Sequence, residues 1–209
     1  MHKRILIADD HSAIRKGVKH ILAGEFSQPE FGEAVNGPDA LKQLRSSAWD
    51  LLILDVDLPG RNGLEILMQM KSERIGTPVL VFSFHREDEV AIRAFKSGAA
   101  GYLSKDTADK ELVSAINEIM AGKKYISAFV AQQLVANLTP EDRPPHEKLT
   151  DREYQILLKI ARGDSLKEIA DSLALSVSAI SNYRKQVTKK LGLSTNGEIM
   201  KYAISQNLI

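Results

Sequence analysis

From Lys3 to about Gly122, short apolar runs alternate with longer amphipathic stretches. The runs are Ile5–Ala8, Leu51–Leu54, Val79–Phe82 and Gly101–Leu103. Continuous apolar runs this short suit strands of a parallel sheet buried on both faces. A weaker run, Phe31–Val35, suits a more exposed edge strand. Between them, helical spacing predicts helices at about 13–22, 38–46, 64–71, 87–97 and 109–121. The last puts Leu112, Ile116, Ile119 and Met120 on one face and stops at Gly122. Five such units predict an α/β domain with a five-stranded, doubly wound parallel sheet and right-handed crossovers.

Beyond Gly122 the pattern changes. Residues 127–138 read as an apolar helical stretch, and Thr139–His146 holds three prolines among polar residues, which a helix cannot continue through. From about Leu149 there is no strand-like run, and four helices are predicted at about 151–162, 166–173, 177–191 and 195–206. Two of them open with capping boxes, Thr150 with Glu153 and Ser165 with Glu168. The expected organisation is a first domain over 1–122, a partly helical linker over 123–147 and an all-α four-helix domain over 148–209. The length of 209 residues accommodates two small domains.

Composition narrows the chemistry. The chain is 44% hydrophobic without low-complexity tracts, so it has material for a core. It has no cysteine, which excludes disulfides, thiolate zinc sites and a cysteine nucleophile. The apolar run after Lys3 and Arg4 stops at Asp9 and Asp10, short of the ~7–15 residues of a secretory signal. No apolar run nears the ~18 residues of a membrane span. A soluble, cytoplasmic protein with no membrane partner is expected. The formal net charge of +1 argues against a nucleic-acid partner until it is divided by segment. Residues 1–124 hold 17 basic and 18 acidic side chains, residues 125–148 hold 2 and 3, and residues 149–209 hold 9 and 6. The excess of +3 lies in the last segment alone.

In an open α/β sheet, ligands bind beyond the carboxyl ends of the strands. Asp9 and Asp10 end the first predicted strand, Asp55 the third and Ser83 the fourth, and Lys105 follows the fifth. Clustered carboxylates repel one another unless a cation sits among them, and a hard divalent ion that takes oxygen ligands, Mg²⁺, meets that need. Asp55 is then free to act as a carboxylate nucleophile toward phosphorus. The metal, Lys105 and the Ser83 hydroxyl would compensate the phosphoryl oxygens. Taken singly, Asp9 reads as a helix cap and Lys105 as a solvated surface charge. Their conjunction at successive strand ends favours a site.

Residues 1–122 resemble the receiver domain of bacterial two-component response regulators, a flavodoxin-like fold. The resemblance lies in Ile-Ala-Asp9-Asp10-His, Leu-Asp55-Val-Asp57-Leu-Pro59-Gly60 followed by Gly63, Val-Phe-Ser83, and Gly98-Ala-Ala-Gly-Tyr-Leu-Ser-Lys105. It implies that Asp55 is the phosphoacceptor and that Asp10 and Asp55 bind Mg²⁺, with Asp9 nearby and the Asp57 backbone carbonyl as a further ligand. It also implies that Ser83 and Tyr102 are switch residues. A half-buried edge aromatic is the plain alternative for Tyr102. Family members vary after the switch hydroxyl, where this chain has the bulky Phe84. Leu-Asp55-Val-Asp57 is also similar to the Asp-x-Asp motif of haloacid-dehalogenase-like phosphatases, with Asp57 as general acid/base. Against that, the extra acidic pair precedes the nucleophile, and the remaining chain is a small helical module rather than a cap domain.

The predicted helix over 177–191 carries Arg184, Lys185, Lys189 and Lys190 and no acid. Val177, Ile180, Val187 and Leu191 form an apolar face expected to pack on Ile156, Leu157, Ile160, Ile169 and Leu173. Ser178, Ser181, Asn182, Lys185 and Lys189 fall opposite, a layout that suits a major groove. The bland alternative is an amphipathic helix with a solvated basic face. The short link Ala174-Leu-Ser176 to the preceding helix favours helix–turn–helix. The region resembles the LuxR-type helix–turn–helix of NarL/FixJ regulators through Leu149-Thr-Asp-Arg-Glu153, Lys167-Glu-Ile-Ala170, Leu-Ser-Val-Ser-Ala-Ile180 and Lys190-Leu-Gly. Where that family usually has Thr-Val and then His, this chain has Ala179-Ile180 and Tyr183. The resemblance implies base contacts from Ser181, Asn182 and Lys185 and phosphate contacts from Lys167, Arg184 and Lys189.

The expected protein is therefore not an enzyme but a DNA-binding transcription regulator. Its expected partners are a sensor histidine kinase and double-stranded DNA with inverted or direct half-sites, and it is expected to form a homodimer on phosphorylation. The fourth helix of the module, with Ile199, Met200, Tyr202, Ala203 and Ile204, is richer in apolar residues than a small core requires, which suggests a dimer surface. A third possibility is a DNA-binding protein whose receiver is only a structural platform.

Overall fold

Three of the predicted strands are wholly buried or nearly so. In the computed structural model, which describes residues 3–84, 89–127, 130–132, 144–206 and 208–209, these are β1 (Arg4–Ala8), β3 (Leu51–Leu54) and β4 (Val79–Ser83). β2 (Glu30–Ala34) lies at one edge and β5 (Gly101–Ser104) at the other. All pairings are parallel in the order β2-β1-β3-β4-β5, the doubly wound arrangement expected. β2 keeps Glu30 and Glu33 in solvent and buries only Ala34, which is why its sequence signal is weak.

Crossover helices α1 (Ser12–Glu25), α2 (Gly37–Ser46), α3 (Gly63–Ser72), α4 (Glu89–Lys96) and α5 (Ala108–Met120) join the strands. Ile5, Ile7, Ile53, Leu80 and Leu103 of the sheet share one core cluster with Val18, Leu22, Leu112, Ile116 and Ile119. The expected start of the fourth helix at residue 87 lies outside the described residues. α3 opens with an unexpected capping box, Asn62 with Glu65.

The chain divides into two units, Met1–Ala136 and Asn137–Ile209. Of the expected helix over 127–138, residues 130–132 are helical and 128–129 and 133–138 lie outside the described residues. Both ends of the expected linker are built into structure. Tyr125 bridges to Gly101, its N–H donating to the Ala100 carbonyl at 3.0 Å and its carbonyl accepting from Tyr102 N–H at 3.4 Å. A side chain on Gly101 would meet Ile119 and Tyr125 at 2.7 and 3.0 Å, so this approach needs glycine. At the other end His146 is buried, its Nδ1 2.8 Å from the Tyr202 hydroxyl.

The second unit holds α6 (Asp151–Ala161), α7 (Leu166–Leu173), α8 (Val177–Leu191) and α9 (Asn196–Ser205). The two predicted capping boxes are present, and Thr195 with Glu198 adds a third. The core takes Ile156, Leu157, Ile160, Ile169, Leu173, Ile180, Val187, Ile199 and Ala203. One expectation is corrected: Val177 is 47% exposed and Leu191 only half-buried, so the apolar face of α8 is centred on Ile180 and Val187. Val177 is the first residue of the helix and overhangs the packing surface. The turn between α7 and α8 places Ala174 at φ 52°, a left-handed conformation that ordinarily favours glycine.

Candidate acidic site and basic helix

The sheet register assembles the acidic site. Ala8 pairs with Leu54, so Asp9 and Asp55 leave neighbouring strands side by side; Asp55 N–H donates to the Ala8 carbonyl at 2.8 Å. On the far side Ser83 pairs with Ser104, and Lys105 follows. Gly63 packs against the Asp55 backbone so closely that a Cβ would stand 2.4 Å from its carbonyl oxygen. The turn after β3 thereby folds down beside the site.

Asp9, Asp55, Ser83 and Lys105 are all buried. Lys105 Nζ donates to Asp55 Oδ2 at 2.8 Å and lies 2.7 Å from Asp9 Oδ2. Asp57 is in the following turn, its N–H donating to Asp55 Oδ1 at 3.3 Å. Burial pushes the Asp55 carboxyl up to about 6; Lys105 opposes that shift, while Asp57 and Asp9 add to it. Burial works against the Lys105 charge, but Asp55 and Asp9 outweigh it and hold the ammonium above the ordinary lysine range. Asp9 is neither a cap nor a bystander: α1 is capped at His11 without a side-chain bond, and Asp9 Oδ1 accepts from His11 N–H at 2.8 Å.

Asp10 is the exposed member of the group, with His11 Nδ1 2.8 Å from its Oδ1. One ligand atom each from Asp9, Asp10, His11 and Asp55 lies within 4.8 Å of the others. The buried Asp9 Oδ2 faces the Lys105 ammonium, and carboxylate oxygens are what a small hard cation takes. These residues fit Mg²⁺. Tyr102 lies wholly inside the domain instead of half-buried at its edge. Sequence reasoning missed His11, although it follows the acidic pair directly. It also missed that the exposed Phe84 ring lies 4.9 Å from Lys105 Nζ.

In the second unit the expected polar face is largely exposed. Ser178, Asn182, Lys185 and Lys189 of α8 face solvent, Ser181 is half-buried, and Lys167 is exposed near the start of α7. Two cations of α8 are used inside the unit. Lys190 Nζ donates to the buried Glu153 at 2.6 Å; burial disfavours that carboxylate, yet Lys190 and the Thr150 cap keep its pKa below the usual range. The half-buried Arg184 turns to the corner before α9, donating from Nε to Asn196 Oδ1 at 2.5 Å. On α9, Ile199 and Ala203 face the core, while Met200 and Ile204 are 38% and 57% exposed. No described helix is long and apolar enough to cross a membrane.

Comparison with known proteins gives the same division. Residues 5–117 match the response regulator receiver domain, and residues 147–203 match the bacterial regulatory proteins of the luxR family. The chain is 34% identical to the response regulator UvrY of Escherichia coli (strain K12), across 98% of this chain and 94% of that one. It is 33% identical to the response regulator GacA of Pseudomonas aeruginosa, across 99% and 97%. A LuxR-family response regulator from Aurantimonas sp. SI85-9A1 superposes with a TM-score of 0.60 at 29% identity, covering 66% of this chain and 99% of that one. RcsB from Salmonella enterica serovar Typhimurium, bound to a promoter in the presence of phosphomimetic BeF3−, shares the fold at 21% identity. Its TM-score is 0.68, over 98% of this chain and all of that one. The chain therefore belongs to the response regulators of the NarL/FixJ family, DNA-binding transcription regulators governed by phosphorylation of a receiver domain.

Proposed function

We propose that Asp55 is the phosphoacceptor of this regulator and that a sensor histidine kinase is its donor. The supporting observation is Lys105, a buried ammonium held between Asp9 and Asp55 at the carboxyl ends of the strands. A carboxylate oxygen of Asp55 attacks phosphorus while the donor's bond to phosphorus breaks in line, its electron pair leaving with the donor. Asp10 and Asp55, with Asp9 beside them and the Asp57 backbone carbonyl, would hold Mg²⁺, which when bound supplies charge neutralisation for the phosphoryl oxygens. Lys105 exchanges its carboxylate partner for a phosphoryl oxygen, and the Ser83 hydroxyl turns to another. That movement frees space behind Ser83, into which Tyr102 shifts as the second switch residue.

The output is carried by α8. Ser178, Ser181, Asn182 and Lys185 face base edges, and Lys167 and Lys189 face phosphates. Phosphorylation favours a homodimer, so that two copies of α8 reach inverted or direct half-sites about one helical turn apart. The half-exposed Met200 and Ile204 make α9 part of that dimer surface. The protein acts in the cytoplasm as a regulator rather than as an enzyme.

The test is acetyl phosphate with Mg²⁺ on wild type and Asp55→Asn, reading phosphate incorporation and DNA binding together. Incorporation in wild type alone, with tighter DNA binding, supports the proposal. Equal behaviour of the two proteins overturns it. Asp57→Ala separates regulator from phosphatase: phosphatase turnover in wild type that disappears in this variant would reassign the site to hydrolysis.

A further inference from the structure

We infer that Arg184 is a positioning residue that ties the recognition helix to the start of α9, and not a phosphate contact. The inference rests on α8 being the helix that enters DNA. It departs from the role that sequence resemblance suggests for Arg184.

Helical geometry separates Arg184 from the DNA-facing cations. At about 100° per residue, Arg184 lies within roughly 60° of the buried Ile180 and Val187, while Lys185 and Lys189 lie roughly 100–140° away from it. Exposure follows the same division, with Arg184 half-buried and Lys185 and Lys189 exposed. The guanidinium is a planar fork, so one short bond orients all of its donors. Here Nε donates to Asn196 Oδ1 at 2.5 Å, and Nη2 lies 3.5 Å from the Ser194 carbonyl. Both acceptors belong to the corner between α8 and α9.

That corner is itself fixed. Gly192 closes α8 in a left-handed conformation, the Ser194 N–H donates to Glu198 at 2.6 Å, and Thr195 caps α9 with Glu198 as its reciprocal partner. Arg184 therefore bonds to a rigid anchor. Together with Lys190, which holds the same helix to Glu153 of α6, it fastens the C-terminal half of α8 at two points. The angle at which Asn182 and Lys185 are presented depends on these ties. α9, with its half-exposed Met200 and Ile204, is bound into the same unit.

Counterion release distinguishes the two roles. A side chain that neutralises a phosphate contributes about 0.9 to the slope of log K against log salt, and a positioning residue contributes nothing. The experiment uses full-length protein treated with acetyl phosphate and Mg²⁺, and a duplex selected by wild type from a randomised pool. Affinity is measured across a salt series for wild type, Arg184→Ala, Arg184→Lys, Asn196→Ala, the double Ala variant and Lys189→Ala. Lys189→Ala is expected to lower the slope by about 0.9. Arg184→Ala and Asn196→Ala are expected to weaken binding by about tenfold at unchanged slope, and the double variant no further, as for partners in one interaction. Arg184→Lys keeps the charge but loses the fork, so it should fall with Arg184→Ala.

A slope loss in Arg184→Ala equal to that of Lys189→Ala, with Arg184→Lys behaving as wild type and Asn196→Ala silent, overturns the assignment. Failure of wild type itself to bind any duplex rejects the reading of α8 instead, a pattern distinct from either. Asn196 is exposed, so its variant tests the tie even if Arg184→Ala folds poorly.

Discussion

The acidic site and the basic helix solve opposite electrostatic problems. In the first unit three charges, Asp9, Asp55 and Lys105, are withdrawn from water and satisfied by one another. In the second, Lys167, Lys185 and Lys189 stand in solvent. Buried charges interact strongly because little water screens them, and each is costly once its partner goes. Exposed charges contribute little to stability but remain available to a polyanion, and salt tunes them. The proposed phosphoryl-sensing role suits the first regime, and the proposed DNA-facing role suits the second.

The sharpest way to break this contrast is to remove one cation from each side. Lys105→Met leaves two buried carboxylates facing each other and should cost the first unit about 3 kcal/mol in metal-free protein. Lys185→Ala should change the second unit by less than about 0.5 kcal/mol. Denaturant melts that follow each unit separately decide it; equal costs would mean that Lys105 is not the counter-ion that its position indicates.

Asp55→Asn refines the same point with the opposite sign. Because the folded carboxyl titrates near 6 instead of near 3.8, the native state binds the extra proton between those values. Its stability therefore falls as pH rises through that window. Above pH 6 the ionised side chain is a liability, so metal-free Asp55→Asn should be more stable than wild type by about 3 kcal/mol at pH 7.5. The gap should close toward pH 4. Urea melts at the two pH values measure it, and Mg²⁺ should shrink the gap by stabilising wild type alone.

Much of the first unit was legible because buried parallel strands write themselves as short apolar runs, and a polar residue ending such a run stands out. Asp9, Asp55, Ser83 and Lys105 are visible for that reason. What the string did not show is pairing across space: the Arg184 fork on Asn196, the bond between His146 and Tyr202, and Lys190 on Glu153 join residues that carry no joint signal in sequence. Val177 illustrates a different limit. Helical period assigns a residue to a face, but not whether the partner surface reaches that far along the helix.

Two smaller predictions concern the second unit. Thr150→Ala removes the α6 cap, whose hydroxyl accepts from Glu153 N–H at 3.3 Å, and should cost about 1 kcal/mol. It should also loosen the grip of Lys190, since Glu153 serves both partners. Ala174→Gly relieves the left-handed turn between α7 and α8 and should stabilise the unit by about 0.5 kcal/mol, once glycine's extra freedom in the unfolded chain is set against the strain. Thermal melts of the isolated transition check both. Neither change should alter phosphate incorporation by the first unit.

The bridge from Tyr125 to Gly101 bears on how copies of the protein can meet. An exposed outer strand presents unpaired backbone groups that another chain can extend, the common route to edge-to-edge aggregation. Here the outer side of β5, the strand that carries Tyr102, is covered by the chain's own backbone at Tyr125, whose hydroxyl is fastened to Glu111 of α5 at 2.8 Å. A second molecule cannot add a strand at that position. Association at that position has to proceed through side chains, which can be weak, reversible and responsive to a switch in a way that a continuous backbone ladder cannot.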